Sequence, residues 1–348
     1  MSKKQEYGQY YTTQYRYILQ NLHIPEDINT IVEPFCGEGH LLQFIDDKTP
    51  HELETYDIDP KLDNTVKQDT LENPPNYNDK FILTNPPYLA RNKSANKELY
   101  DKYNTNDLYK CFLKELLENQ CAGGIIIIPL NFWSSIRKAD VELRGDFLRT
   151  YKILHLNIFE ESVFNDTTYT VCSFQFELRK NTKPEAITTI IYPSKKRLHI
   201  MLHDKNSYTF GGEIYNLPLE HKYKITRLTS KNLDKKNTNV VVKCIDDNKY
   251  SQIGLSLVEE KDVYIDDTPN QTARTYATLV IEPALSNEQQ KQLVVAFNEY
   301  LTMQRKKYNS LFLTNYRESK SIARKRISFD LVYNIVEYLL DTTSIPYA

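Results

Sequence analysis

The run Phe81-Ile82-Leu83 followed by Asn85-Pro86-Pro87-Tyr88 constrains this chain more than any other segment. The apolar run reads as a short buried strand. Two consecutive prolines must end it, because neither can donate a ladder hydrogen bond. The residue before a proline is also pushed out of helical geometry. The expectation is a stiff, exposed tetrapeptide at the C-terminal edge of a sheet. It carries an amide side chain, carbonyl acceptors and an aromatic face. Asn85 Oδ1 and the Pro86 carbonyl can accept both hydrogens of an exocyclic amino group, and Tyr88 can stack on a flat ring. An Asn-Pro turn that only ends a strand has the same local signature. The rest of the chain has to decide between them.

Around the tetrapeptide, apolar runs alternate with helical patterns. Ile31-Val32, Leu53–Ile58, Phe81–Leu83, Gly124–Ile128, Ile153–Phe159 and Tyr169–Leu178 read as strands. Residues 14–22, His40–Phe44, Asp107–Asn119 and Val141–Tyr151 read as helices. Such alternation predicts a parallel α/β sheet, and the last two strands suit an antiparallel edge. After Arg179–Pro184 the pattern changes. Short β-like runs (Ala186–Ile191, Asn239–Cys244, Tyr276–Ile281) are broken by charged loops, and helices follow at Asn287–Lys306 and Phe329–Leu340. This shift divides the chain into residues 1–182, a doubly wound α/β domain with an antiparallel edge, and 183–348, a mixed α+β domain.

Acidic residues recur at successive strand ends. Val32-Glu33-Pro34-Phe35-Cys36-Gly37-Glu38-Gly39 joins a strand to a helix. Glycines there let backbone approach a ligand, and a helix start offers free N–H groups. The segment is neither a dinucleotide fingerprint nor a Walker loop. Glu33 would repel phosphates and welcome a cation such as a sulfonium bearing an ammonium group. Asp57, in Tyr56-Asp57-Ile58-Asp59-Pro60, ends the next strand, where a carboxylate can bind ribose hydroxyls. Asp69, in Lys67-Gln68-Asp69-Thr70-Leu71, can accept from an adenine amino group.

The 348 residues suffice for two domains, and the 40% hydrophobic and 26% charged content is that of a soluble globular protein. The longest apolar run is strand-sized, and the N-terminus lacks the apolar stretch of a secretory signal, so an intracellular protein is expected. The five cysteines are scattered without a CxxC pair, which points to buried thiols rather than disulfides or a zinc site.

In order and spacing, the first 180 residues or so resemble the gamma-order adenine-N6 DNA methyltransferases, which use S-adenosylmethionine. Gly8-Gln9-Tyr10-Tyr11-Thr12-Thr13 looks like the family's N-terminal motif, with Thr13 where many relatives have proline. The resemblance implies that Tyr10, Thr12, Glu33, Pro34, Phe35, Cys36, Gly37, Asp57, Ile58, Asp69, Thr70, Asn85 and Phe112 bind the cofactor. It implies that Asn85, Pro86, Pro87 and Tyr88 are catalytic. Val163-Phe164 matches a motif whose Phe contacts the target base, so Tyr88 and Phe164 would stack on an adenine flipped out of double-stranded DNA. The motif order leaves target recognition to the C-terminal half, and a cognate restriction endonuclease acting separately on the same site is the implied partner of a monomeric enzyme.

That half carries a basic segment: Arg305, Lys306, Lys307, Arg317, Lys320, Arg324, Lys325 and Arg326, opposed only by Glu318. In a chain of net charge −2, such a cluster is a local footprint for a phosphate backbone, although charge runs are usually solvated faces. The tetrapeptide also occurs in enzymes that methylate RNA guanine or protein glutamine. Those usually place their extra domain first and lack the N-terminal motif. Cytosine-N4 methylation typically has Ser in place of Asn. A catalytically silent DNA-binding subunit would not need Glu33, Asp57, Asp69 and Asn85 intact.

Overall fold

A computed structural model describes residues 8–46, 51–164, 169–181, 185–246, 252–267, 275–315 and 325–342. The chain forms two compact units, one ending at Tyr208 and the other beginning at Thr209.

The first unit is built on a nine-stranded sheet. Its strands are β1 (Thr30–Glu33), β2 (Glu52–Asp57), β3 (Val66–Lys67), β4 (Phe81–Thr84), β5 (Gly123–Pro129), β6 (Tyr151–Phe159), β7 (Val171–Leu178), β8 (Ala186–Tyr192) and β9 (Lys196–Met201). Their spatial order is β3-β2-β1-β4-β5-β7-β6-β8-β9. β1 to β5 pair in parallel, and β7 runs antiparallel to both of its neighbours. The first seven strands thus form a doubly wound, mostly parallel sheet with β7 inserted antiparallel. From β1 the chain winds outward through β2 and β3, then returns to the other side of β1 as β4. The β1/β4 gap is therefore a switch point, where open α/β sheets bind ligands outside their strand ends.

Burial explains why the core strands sit centrally. Every residue of β4 and β5 is buried. A strand covered on both faces needs apolar side chains in both directions, which the Ile125–Ile128 run supplies. Gly123 and Gly124 begin β5 for a steric reason. A Cβ on Gly124 would lie 2.6 Å from the Ile82 carbonyl oxygen and 2.9 Å from the Phe176 ring. The helix Leu108–Glu118 turns Leu108, Cys111, Phe112 and Leu116 inward. It also buries Lys110, whose ammonium pairs at 2.6 Å with Asp140 on the helix Lys138–Thr150. The Ser135 hydroxyl donates to the same carboxylate. On that second helix the buried Arg144 guanidinium donates to the carbonyls of Phe132, Ser135, Ser207 and Tyr208. Burial lowers its pKa to about 10, against the opposing pull of Asp140.

The structure corrects several expectations. The β6–β7 pair does not end the sheet; β8 and β9 extend it, and the antiparallel strand at the edge is β9. The expected boundary at 182 falls within one sheet, because the Ala186–Ile191 run pairs in parallel with β6 and carries β9 with it. Short β runs after a charged loop do not reveal whether they start a new sheet or extend an old one. Of residues 14–22 only Tyr15–Ile18 are helical, and Asn21 has φ +64°. The His40–Phe44 helix is a 3₁₀ helix starting from Gly39.

The second unit holds a four-stranded antiparallel sheet in the order β10 (Lys224–Arg227), β13 (Tyr276–Glu282), β11 (Val240–Lys243), β12 (Gly254–Leu257). The helix Asn287–Tyr308 packs on β12, where Asn298 bonds both backbone groups of Leu255. Ser286 and Gln289 form a capping box at its start, and Asn309 closes it in the left-handed conformation. Among the described residues no helix is long and apolar enough to cross a membrane. All five cysteines are buried.

Two stability outcomes follow. Gly124→Ala overpacks the β4/β5/β7 junction and should destabilise the fold by about 1–3 kcal/mol, read as a lower urea midpoint at unchanged slope. Lys110→Met leaves Asp140 charged and buried without its cation and should cost about 3–5 kcal/mol in the same measurement.

Candidate active site

The site forms where the chain reverses across the sheet. Glu33 ends β1 and Thr84 ends β4, and the two strands pair through Ile31↔Phe81 and Val32↔Ile82. The Thr84 hydroxyl donates to Glu33 Oε1 at 2.5 Å, and the Phe35 amide donates to the same oxygen at 3.2 Å. Glu33 is 1% exposed. Burial pushes its carboxyl up to about 8; the two hydrogen bonds oppose that rise and nearby Asp57 adds to it. Glu33 thus stays protonated in the fold over a range where the unfolded chain ionises it. It makes stability fall as pH rises from the ordinary carboxylate range to about 8. A cation beside Glu33 would reverse that preference.

Asp57 organises the glycine loop. Its Oδ2 accepts from the Gly37 amide and its Oδ1 from the Asp59 amide, both at 2.8 Å. Gly37 adopts φ +53° and lies against the Tyr11 ring, which a Cβ there would meet at 3.2 Å. Each Asp57 oxygen retains a lone pair for a further donor. Asp69 caps the next turn through Oδ1, which accepts from Leu71 and Glu72 amides at 3.0 and 3.3 Å. The Thr70 hydroxyl donates to the Pro34 carbonyl and ties that turn to the first loop.

These groups surround a cavity of about 360 Å³. Of the thirteen cofactor residues expected from sequence, Tyr10, Thr12, Glu33, Phe35, Cys36, Gly37, Asp57, Ile58, Asp69, Thr70 and Asn85 line it. Pro34 serves through its carbonyl. Phe112 stands behind the wall: it is fully buried and meets Phe35 edge-on at 5.1 Å. Sequence reasoning missed Gln9, Tyr11, Glu38, His40 and Gln68, although they lie within or beside the motifs. It also missed the wall formed by Leu89, Ser94, Ala95, Asn96, Leu99 and Tyr100, for which the sequence carried no signal.

The tetrapeptide corrects the expectation of an exposed edge. Pro86 is buried, Asn85 and Pro87 are half-buried, and Tyr88 is 2% exposed. The Gly8–Thr12 segment covers it. The Tyr88 amide donates to the Gly8 carbonyl at 2.9 Å. The Tyr10 ring stacks on the Tyr88 ring at 5.3 Å and 30°. Phe164, also buried, approaches Tyr10 at 6.3 Å, and Tyr169 stands edge-on to both Tyr10 and Tyr88. The Tyr88 hydroxyl lies within reach of Asn85 Oδ1 and, at 2.9 Å, of the Ile127 carbonyl. Tyr88 and Phe164 therefore gather in one aromatic cluster, with Tyr10 on the face expected to receive a ring.

The basic segment is less uniform than its sequence. Arg305 forms a bidentate pair with Asp246 at 2.9 and 3.0 Å. Lys325 is buried and Arg326 half-buried on a short strand. Lys306 and Lys307 are exposed, the latter over the Tyr308 ring at 4.6 Å. Arg317, Lys320 and Arg324 lie outside the described residues. Among the described residues no cluster of three or more His, Cys, Asp or Glu could hold a metal ion.

Residues 38–164 match the family described as Eco57I restriction-modification methylase. No curated protein matches the chain. Among solved structures it is similar to the type I restriction-modification system methyltransferase subunit from Streptococcus thermophilus, at 17% identity over 57% of this chain and 51% of that one, TM-score 0.40. It is similar to the DrdV–DNA complex at 15% identity, 70% and 35% coverage and TM-score 0.42. A third likeness is to the 23S rRNA methyltransferase ErmE, at 14% identity, 49% and 68% coverage and TM-score 0.35. The chain spans about half the length of the Streptococcus thermophilus subunit. The matched stretch contains Asp57, Asp69, the tetrapeptide and Phe164. The match to the Eco57I restriction-modification methylase family thus falls on the stretch that carries most of the site, within a doubly wound α/β sheet.

Proposed function

We propose that the protein transfers a methyl group from S-adenosylmethionine to the N6 amino group of an adenine flipped out of double-stranded DNA at a specific sequence. The carrying observation is the amide of Asn85 at the lip of the switch-point cavity. S-adenosylmethionine fits that cavity by the chemistry of its walls. Glu33 is a buried acid held only by neutral donors among the described residues, suited to the positive end of the cofactor. Asp57 retains acceptor capacity for ribose hydroxyls, and Asp69 keeps Oδ2 for an adenine amino group. Phe35 offers an aromatic wall. When bound, the cofactor supplies an electrophilic methyl on sulfur.

The chain's residues then have to make a poor nucleophile adequate. The adenine amino lone pair is delocalised into the ring. Hydrogen bonds from N6–H to Asn85 Oδ1 and the Pro86 carbonyl favour a more tetrahedral nitrogen and aim its lone pair at the methyl. With the cofactor bound, transfer would leave its sulfur as a neutral thioether, and the methylated N6 would release one proton to solvent. Positioning and electrostatics carry the rate. An adenine in a duplex is out of reach, so the nucleotide must leave the stack. The Tyr88 face, now under Tyr10, is the surface on which the base would lie once that ring swings away. The second unit is assigned to target recognition, with Lys306 and Lys307 as its accessible cations on the described part of the basic segment.

The deciding experiment offers tritiated S-adenosylmethionine with unmodified DNA, RNA or protein, and maps modified DNA bases by sequencing. Transfer to DNA adenine is expected; transfer only to RNA or protein would overturn the reading. Asn85→Ala should lower the transfer rate by at least about 10²–10³-fold while calorimetric cofactor affinity stays within a few-fold. Cofactor affinity should rise with pH up to about 8, because a cation beside Glu33 expels its proton. Titrations near neutral pH, in buffers of differing ionisation enthalpy, should report net proton release, which Glu33→Gln abolishes.

A further inference from the structure

The Asn85 side chain is an amide whose two ends differ only in chemistry. Presented one way it offers the acceptor that an amino group needs; turned by half a rotation it offers two N–H donors, which would repel that group. Something must therefore fix its orientation. In the structure Asn85 Nδ2 donates to the Tyr10 carbonyl at 2.8 Å and to Thr12 Oγ1 at 3.0 Å. A carbonyl oxygen cannot donate, so the end of the amide facing Tyr10 has to be the NH₂. The other end is then the oxygen, which lies beside the Tyr88 hydroxyl and can accept from it. One Oδ1 lone pair remains for an incoming donor.

Thr12 is 4% exposed, so its hydroxyl does not exchange freely with water as a partner for Nδ2. Tyr10 and Thr12 also line the cavity. The same short segment therefore borders the cofactor space and grips the back of the amide.

On the reading of Asn85 as the group that accepts from the target amine, we propose that Thr12 is a positioning residue for catalysis. Its hydroxyl, with the Tyr10 carbonyl, holds the Asn85 amide with Oδ1 toward the substrate. The Gly8–Thr12 segment thus sets the chemistry at the tetrapeptide in addition to bordering the cofactor. Losing the Thr12 acceptor leaves one Nδ2 hydrogen unpaired in a nearly buried site, and the amide gains freedom to turn.

The test compares wild type, Thr12→Val and Thr12→Ser. Valine keeps the shape and removes the acceptor; serine keeps the acceptor. Each is measured for kcat on DNA carrying the mapped site, for calorimetric affinity toward S-adenosylhomocysteine, and for melting temperature. Thr12→Val is expected to lower kcat by about ten- to a hundredfold, with nucleoside affinity within about threefold of wild type and the fold intact, and Thr12→Ser to restore most of kcat. Equal kcat in wild type and Thr12→Val overturns the proposal, as does a loss confined to nucleoside affinity. If Thr12→Val melts early, Thr12→Ser and the double variant Thr12→Val/Asn85→Ala decide. A Thr12→Val effect of undiminished size on the residual rate of Asn85→Ala would mean that Thr12 does not act through the amide. A wild-type enzyme inactive on DNA refutes the methyltransferase reading instead, and the two failures are thereby distinguished.

Discussion

The hydrogen bond from Thr84 to Glu33 spans the place where the sheet reverses its winding. β1 and β4 are adjacent in space but separated in the chain by two further strands. Their ends must be held in register for the loops that follow to face one cavity. A carboxyl at 1% exposure would ordinarily be costly, and it is made tolerable by staying protonated and by two donors on a single oxygen. The glycine loop follows Glu33 directly, and the tetrapeptide follows Thr84 directly. The cofactor side and the chemical side of the site are therefore one residue away from the same bond.

The order of the strand ends was legible in the sequence because each lies next to a residue whose chemistry is unusual there. Glu33 and Asp57 end strands, and Asp69 lies two residues past one, where a neutral turn would suffice. Asn85 precedes two prolines. Eleven of thirteen expected cofactor residues line one cavity as a result. Phe112, expected from the resemblance to lie by the cofactor, stands one layer behind the cavity wall against Phe35. The Leu89–Tyr100 wall was invisible because its contribution depends on where a loop folds back, and no spacing rule encodes that.

The largest departure concerns exposure. Consecutive prolines at a strand end predict an edge, and in isolation Asn85–Tyr88 would be one. The Gly8–Thr12 segment, about eighty residues earlier in the chain, lies over it by backbone pairing at Gly8, stacking at Tyr10 and side-chain bonding at Thr12. Local patterning cannot report a cover supplied from so far away. It could report the segment's own oddity, two tyrosines and a threonine soon after a glycine. The boundary at 182 failed similarly, since β8 is recruited by the open edge of β6 rather than by anything in its own composition.

Arg144 gathers four backbone carbonyls, two from the turn after β5 and two from Ser207 and Tyr208. The polypeptide consequently leaves the first unit from a fixed point. If second units were exchanged between chains, a crossover at the compositional break would strip away two strands and uncover the hydrogen-bonding edge of β6. A crossover just after Tyr208 would pass on all nine strands together. The guanidinium thus holds the last residues of the first unit before Thr209, about twenty-five residues beyond where composition alone would draw the boundary.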